Sequence, residues 1–329
     1  LLDNSRDWAE LWIGEDIALK RPVAVRVLDP TDVRASSALE GARAASAVTD
    51  ARCVRVLDLS ESTSTADSGT SDADALCVIV RAWVEGTTLG ELLGDAPLDP
   101  TDAADLVAEV AEVVASAHDV GLVHAWLDPQ HVVVTTHGQV AVLDLGVAAV
   151  LHSHPTDGEP VDATHAMDVR SLGALLYAAL TARWPLPTPT PLDSAPTTSD
   201  ENPQPLPPRR VRAGVPGSLD ALCRRALGEA VGGRPPFADA REVAVELRRW
   251  LAKEGLTQSD LVVRRSTPAA GRAPSPGSRR RRAIRWGVGV LIAALALGTL
   301  VIGVQVLDGL LGEPDGSPPP GPTDPFTTP

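Results

Sequence analysis

Lysine is almost missing from this chain. Lys20 and Lys253 are the only two among 329 residues, so a site that needs a compact ammonium charge has just two candidates. Cysteine is scarce as well. Cys53, Cys77 and Cys223 lie far apart with no C-x-x-C pair, which excludes a zinc-binding spacing or a disulfide framework and leaves them as small buried hydrophobes. Positive charge is in deficit: a formal net charge of -14 excludes nucleic acid as the expected partner, because Lys and Arg drive binding to a phosphate backbone. The N-terminus has no basic stretch followed by an apolar one, so no secretory signal is expected there.

Hydrophobic residues make up 44% of the chain, enough to bury a substantial core. From Trp286 to Leu307 runs an uncharged apolar stretch that as a helix spans about 33 Å, sufficient for a hydrocarbon core of about 30 Å. It is expected to cross a membrane once. Arg279, Arg280, Arg281, Arg282 and Arg285 precede it, while the following segment carries Asp308, Glu313, Asp315 and Asp324 and no Lys or Arg. That asymmetry places the large N-terminal part in the cytoplasm, with the arginines against anionic headgroups. Pro- and Gly-rich residues 308–329 read as an extracytoplasmic tail without a core, and Pro/Ser/Arg-rich residues 255–285 as a juxtamembrane linker.

Strands precede helices along the rest of the chain. Glu10–Glu15, Pro22–Leu28, Val54–Leu59 and Leu76–Trp83 have strand character, with an Ala-rich helix at Ser36–Val48 between the second and third. Asp99 followed by Pro100 predicts a helix start, and Leu106, Val107, Val110, Val113, Val114 and Ala117 give that helix an apolar face. A hairpin is expected over 131–143, turning at His137-Gly138. Helices follow from Asp168, the last over Asp239–Leu251 with Val243, Leu247, Trp250 and Leu251 on one side. This order predicts an α+β fold.

Several motifs then fall in a recognisable sequence: Val23-Ala24-Val25-Arg26, Val84-Glu85-Gly86, Gly121-Leu122-Val123-His124, Leu143-Asp144-Leu145-Gly146, Asp168-Val169-Arg170-Ser171-Leu172-Gly173 and Gly233-Arg234-Pro235. From Leu1 to about Leu251 the chain resembles a bacterial Ser/Thr protein kinase domain. The resemblance implies two lobes, a β-rich one over 1–84 and a helical one over 85–254. It implies nucleotide contacts at Arg26, Glu85 and Asp144, a Mg²⁺ ligand or a loop-holding role at Asp144, and architectural roles for Asp168 and Arg234.

The family's catalytic groups are replaced at station after station. Asn4, Arg6 and Ala9 stand where the phosphate loop needs glycines, and Arg26 stands where a lysine meets the phosphates. Gly41 takes the place of the helix glutamate, with Glu40 next to it. Trp126 occupies the position of the proton-accepting aspartate, Asp128 that of a phosphate-contacting lysine, and His131 that of the metal-binding asparagine. An indole has no useful basicity. The expectation is a catalytically inactive, membrane-anchored pseudokinase, without ATP or Mg²⁺ as a required cofactor, that acts as a scaffold or regulator. The alternatives are a nucleotide-binding sensor without phosphotransfer or an atypical active Ser/Thr kinase. The architecture is similar to actinobacterial kinase-like proteins linked to the MviN-type lipid II flippase. That similarity implies cell-wall control, an FHA-domain protein, the flippase or an active Ser/Thr kinase as partners, and Thr267 as phosphoacceptor.

Overall fold

The computed structural model describes residues 2–62, 76–153, 164–198 and 203–255, all within one compact unit of the chain, residues 1–268. The stretch 286–307, Thr267, the linker beyond residue 255 and the tail lie outside the described residues. Among the described residues no helix is long and apolar enough to cross a membrane.

The N-terminal lobe is an antiparallel sheet of five strands in the order β1-β2-β3-β5-β4: β1 (Asp3–Arg6), β2 (Ala9–Asp16), β3 (Arg21–Leu28), β4 (Val56–Ser62) and β5 (Leu76–Ala82). One helix, α1 (Arg34–Ala45), packs on it. On β3 the residues Ala24, Arg26 and Leu28 are buried on one face, as the two-residue period of a strand requires. Helix α1 ends before Val48 because the chain tightens there into successive turns, Ser46 N–H to Arg43 O, Ala47 N–H to Ala44 O and Val48 N–H to Ala45 O.

The C-terminal lobe starts with β6 (Gly86–Thr88) and α2 (Leu89–Leu93) and is built round α3 (Pro100–His118). The cap is the expected one: Asp99 accepts from Thr101 N–H and Pro100 opens the helix. Strands β7 (Val132–Thr135) and β8 (Val140–Val142) form the predicted hairpin, followed by α4 (Ala148–His152), α5 (His165–Thr181), α6 (Pro208–Val211), α7 (Gly217–Ala226) and α8 (Ala240–Lys253). Val243, Leu247, Trp250 and Leu251 of α8 are buried. Arg248 of α8 donates to Asp105 Oδ1 at 2.5 Å and to Glu112 Oε1 at 2.7 Å on α3, so a polar clamp joins the two helices. The C-lobe tie expected of Arg234 falls instead to Arg225, which is buried, donates to Pro235 O at 2.8 Å and stacks on Phe237. Arg234 sits in the turn after Gly232 and Gly233, both at positive φ, and is 69% exposed. All three cysteines are buried and free.

Two contacts fasten the segment after Asp144 to the N-terminal lobe. Gly41 on α1 meets Gly146 backbone to backbone: a Cβ at Gly41 would lie 1.9 Å from Gly146 O, and one at Gly146, whose φ is +74, would lie 2.5 Å from Gly41 O. Farther along, Val147 and Leu151 are buried with Leu39, Ala42 and Ile79 in the N-lobe core. Arg6 of β1 donates to Leu151 O at 2.7 Å and to His152 Nε2 at 2.9 Å, and Arg34 donates to Ser153 O at 2.9 Å.

Gly41→Ala should lower stability by about 1–3 kcal/mol in urea unfolding, although alanine is the better helix former. Gly217→Ala, where the new Cβ meets only Arg209 at 3.8 Å, should be neutral or stabilising. His152 supplies a pH test. Burial, then the charges of Arg6 and His131, depress its pKa from 6.5 to about 4 against the opposing pull of Asp128 and Asp144, and its Nε2 must accept because Arg6 only donates. Between those two values the unfolded chain binds a proton that the folded chain refuses, so stability is present above about pH 6.5 and falls as pH drops toward 4. Buried His124 shifts in the same direction. The unfolding midpoint should therefore fall across that window, less steeply in His152→Gln, and an identical slope in the variant would refute the assignment.

Candidate active site

Between the lobes, side chains from β3, β5 and the 143–146 loop converge on one carboxylate. Arg26 faces inward on β3, only 5% exposed, and its Nη2 lies 3.2 Å from Asp144 Oδ2. Arg81 of β5 pairs across the sheet with Ala24, while Arg26 pairs with Ile79. The two arginines are thus diagonal neighbours on one face. Arg81 Nε lies 3.4 Å from Asp144 Oδ1. Both oxygens of Asp144 therefore face a guanidinium. Burial alone would raise the pKa of this carboxyl, but Arg81 and then Arg26, with smaller help from His131 and His124, hold it well below the usual carboxylate range. Two positive charges share one negative charge here, and Arg26 Nη1 and Arg81 Nε are buried without a hydrogen-bond partner.

Asp144 adopts φ +55, a left-handed conformation that Asp tolerates better than most residues. Glu40 is exposed, and Gly41 contacts backbone, so α1 offers no carboxylate to Arg26; Asp144 takes that part. Lys20 and Lys253 are exposed on the surface. Glu85 is exposed too, on the connection into β6, where its carbonyl accepts from Thr136 N–H at 3.2 Å.

The loop 124–131 is held from below by Asp168, which is fully buried. Its Oδ2 accepts from His124 N–H and His118 Nε2, both at 2.9 Å, and its Oδ1 accepts from Ala125 N–H at 2.8 Å. These bonds secure Ala125 at φ +58, a strained position for a residue with a Cβ. Trp126 stacks on His152 with ring centroids 4.2 Å apart and planes inclined by 10°, and its indole Nε1 is buried without a partner.

Asp128 and His131, replacements in the sequence, form a pair. Asp128 Oδ1 receives His131 Nδ1 at 2.9 Å, Gln130 N–H at 2.7 Å and His131 N–H at 3.3 Å. Burial raises the Asp128 pKa, and these bonds and the His131 charge outweigh it, so the group is ionised below the ordinary carboxylate range. The bonds all fall on Oδ1. Asp128 also lines a cleft of about 260 Å³ with Trp126, Met167, Arg170, Trp184 and Pro187.

A divalent metal does not fit at Asp144, since a cation bound to either oxygen would stand beside a guanidinium. Arg81 was absent from the sequence reading, although Cys77, Ile79 and Arg81 alternate along β5 and put a charge in an inward-facing row.

No family model matches the chain. Serine/threonine-protein kinase PknB of Mycolicibacterium smegmatis is 26% identical over 345 residues, covering 92% of this chain and 53% of that protein. Serine/threonine-protein kinase PksC of Streptomyces coelicolor is 29% identical, covering 70% of this chain and 45% of its own length, and pkn2 of Myxococcus xanthus is 28% identical, covering 84% and 34%. The chain spans about half or less of these relatives. The crystal structure of the Mycobacterium tuberculosis PknI kinase domain superposes with a TM-score of 0.55 at 21% identity, covering 76% of this chain and 92% of that one. These relatives correct the expectation of a non-enzyme: proteins matched over most of the chain are named as kinases. The expectation counted groups missing from aligned positions, whereas the fold also brings Arg81 of β5 to Asp144. The chain has the two-lobed fold of the bacterial Ser/Thr protein kinases.

Proposed function

We propose that this chain is an atypical Ser/Thr protein kinase domain whose proton acceptor is Asp128. The observation that carries the reading is the Asp128 carboxylate, ionised, fixed through Oδ1 by His131 and Gln130, and lining the cleft beside Trp126. The names of the relatives supply the reaction class. Catalysis of phosphoryl transfer consists largely of positioning and charge stabilisation, so a shifted carboxylate and a changed set of cations are compatible with it.

In the proposed step, a Ser or Thr hydroxyl oxygen in the cleft attacks the terminal phosphorus of a nucleoside triphosphate. The new O–P bond forms as the bond from phosphorus to the diphosphate oxygen breaks. The hydroxyl proton passes to Asp128 Oδ2, and the nucleoside diphosphate leaves with the bonding electrons. Arg26 and Arg81 lie on the nucleotide side of this arrangement, where guanidinium charge stabilises the transferring group. His131 is a positioning residue that keeps Oδ1 occupied and Oδ2 directed to the acceptor.

The reading includes a membrane attachment through residues 286–307 and recruitment of an FHA-domain partner through phosphorylated Thr267, both supported by the sequence alone. Deleting 286–307 should release the protein from carbonate-washed membranes, and retention would count against the anchor.

Labelled phosphate from a nucleoside triphosphate should be incorporated into the protein itself or a Ser/Thr-rich acceptor. Asp128→Asn should reduce the rate by about 100-fold or more, the range expected for loss of an acid–base group, while Trp126→Phe should keep most of it. No incorporation by the wild type, or equal rates in Asp128→Asn, would overturn the proposal.

A further inference from the structure

We infer that the cleft beside Asp128 selects a protein segment carrying a bulky aliphatic side chain and a carboxylate next to its Ser or Thr hydroxyl. The inference rests on the kinase reading and adds the substrate class to it. Trp126, Met167, Arg170, Trp184 and Leu186 line this cleft with Asp128. At about 260 Å³ it falls below the range of roughly 300–1,000 Å³ that small-molecule pockets occupy. That room suits one or two side chains of an extended peptide better than a whole nucleotide.

Three properties of the lining set the chemistry of the occupant. The first is its apolar area: Met167 is 36% exposed and Trp184 buried, and an aliphatic side chain seated among them and Leu186 would be taken out of water. The second is an unspent positive charge. Arg170 of α5 is exposed, and among the described residues it enters no ion pair or hydrogen bond. The third is an unspent donor, since Trp126 Nε1 is buried without an acceptor. An indole N–H can only donate, and a buried donor is normally paired. The carbonyl of a bound peptide supplies the acceptor that the protein does not.

The walls are set before anything binds. Trp184 Nε1 donates to Thr188 Oγ1 at 2.9 Å, and the Trp184 backbone bonds Asp193 O and Ala195 N–H, both at 2.8 Å. On the loop 124–131, Asp168 holds the backbone of His124 and Ala125. Little ordering is therefore left for the binding step to impose. Charge then decides the polar half of the preference. A basic residue in the segment could pair only with Asp128, the group that the proposed reaction needs free, and would meet repulsion from Arg170. An acidic residue pairs with Arg170 and leaves Asp128 to the hydroxyl.

The experiment is fluorescence anisotropy with the full chain in detergent at low salt and three labelled peptides, each with one Ser in a Gly/Ala background. One carries Leu and Glu beside the Ser, one Leu and Lys, one Gly and Glu. The Leu/Glu peptide should bind about fivefold tighter, or more, than either of the others, and its advantage over Leu/Lys should shrink as salt is raised. Arg170→Glu, at an exposed position, should fold and invert the preference toward Leu/Lys. Trp126→Phe, which keeps a ring and drops the N–H, should weaken all three peptides by about threefold to tenfold. Circular dichroism confirms that both variants are folded. Equal binding of the Leu/Glu and Leu/Lys peptides, an unchanged preference in Arg170→Glu, or failure of all three to bind would overturn the inference. Phosphate transfer to the same peptides is read separately: transfer without selectivity sinks the inference alone, whereas selective binding without transfer upholds the cleft's preference and sinks the kinase reading.

Discussion

The balance of charge around Asp144 governs the interior of this protein. One carboxylate faces two guanidiniums in a space nearly closed to water, and its ionised form is held by them. Arg26 comes from β3, Arg81 from β5 and Asp144 from the loop that leads into α4. The ion cluster therefore joins the sheet of one lobe to the loop of the other. A lysine at Arg26 would reach one oxygen with a point charge, whereas a guanidinium also presents a flat surface and further N–H groups to its surroundings.

Around that cluster the segment after Asp144 is built into the N-terminal lobe. Val147 and Leu151 share its core, and Arg6 and Arg34 grip the end of α4 through backbone carbonyls. The loop 124–131 is anchored independently by Asp168 from the C-terminal lobe. Trp126 and His152 then meet face to face, one from each of these differently anchored segments, and their contact is the point where the two supports come together.

Much of this was legible in the sequence where a local rule decides. The Asp99-Pro100 start of α3, the hairpin turning at His137-Gly138 and the apolar face of α8 all follow from capping, turn and periodicity. Features that depend on register or on a distant neighbour were not. Arg81 reaches Asp144 only because β5 pairs with β3 so that it falls diagonally across from Arg26. Gly41 looked like a lost glutamate, but it is a backbone contact whose partner, Gly146, lies far along the chain. Arg234 looked like a structural tie, and the role belongs to Arg225, which shares its helix with the buried Leu222 and Cys223. Motif order identified the fold, since each match constrains a segment and their sequence constrains the topology. Motif loss alone does not decide activity, because aligned positions do not record what other strands deliver to the same place.

The abutment of Gly41 and Gly146 has an evolutionary corollary. Each residue is already the smallest available, so a mutation at one cannot be rescued by trimming the other. Relief has to come from a tilt of the whole helix, and that tilt would pull Leu39 and Ala42 out of register with Val147 and Leu151. Sequence drift at this spot is thus confined to changes that remodel an entire packing layer at once, which isolates the pair from the gradual, one-residue adjustments open to the rest of the core.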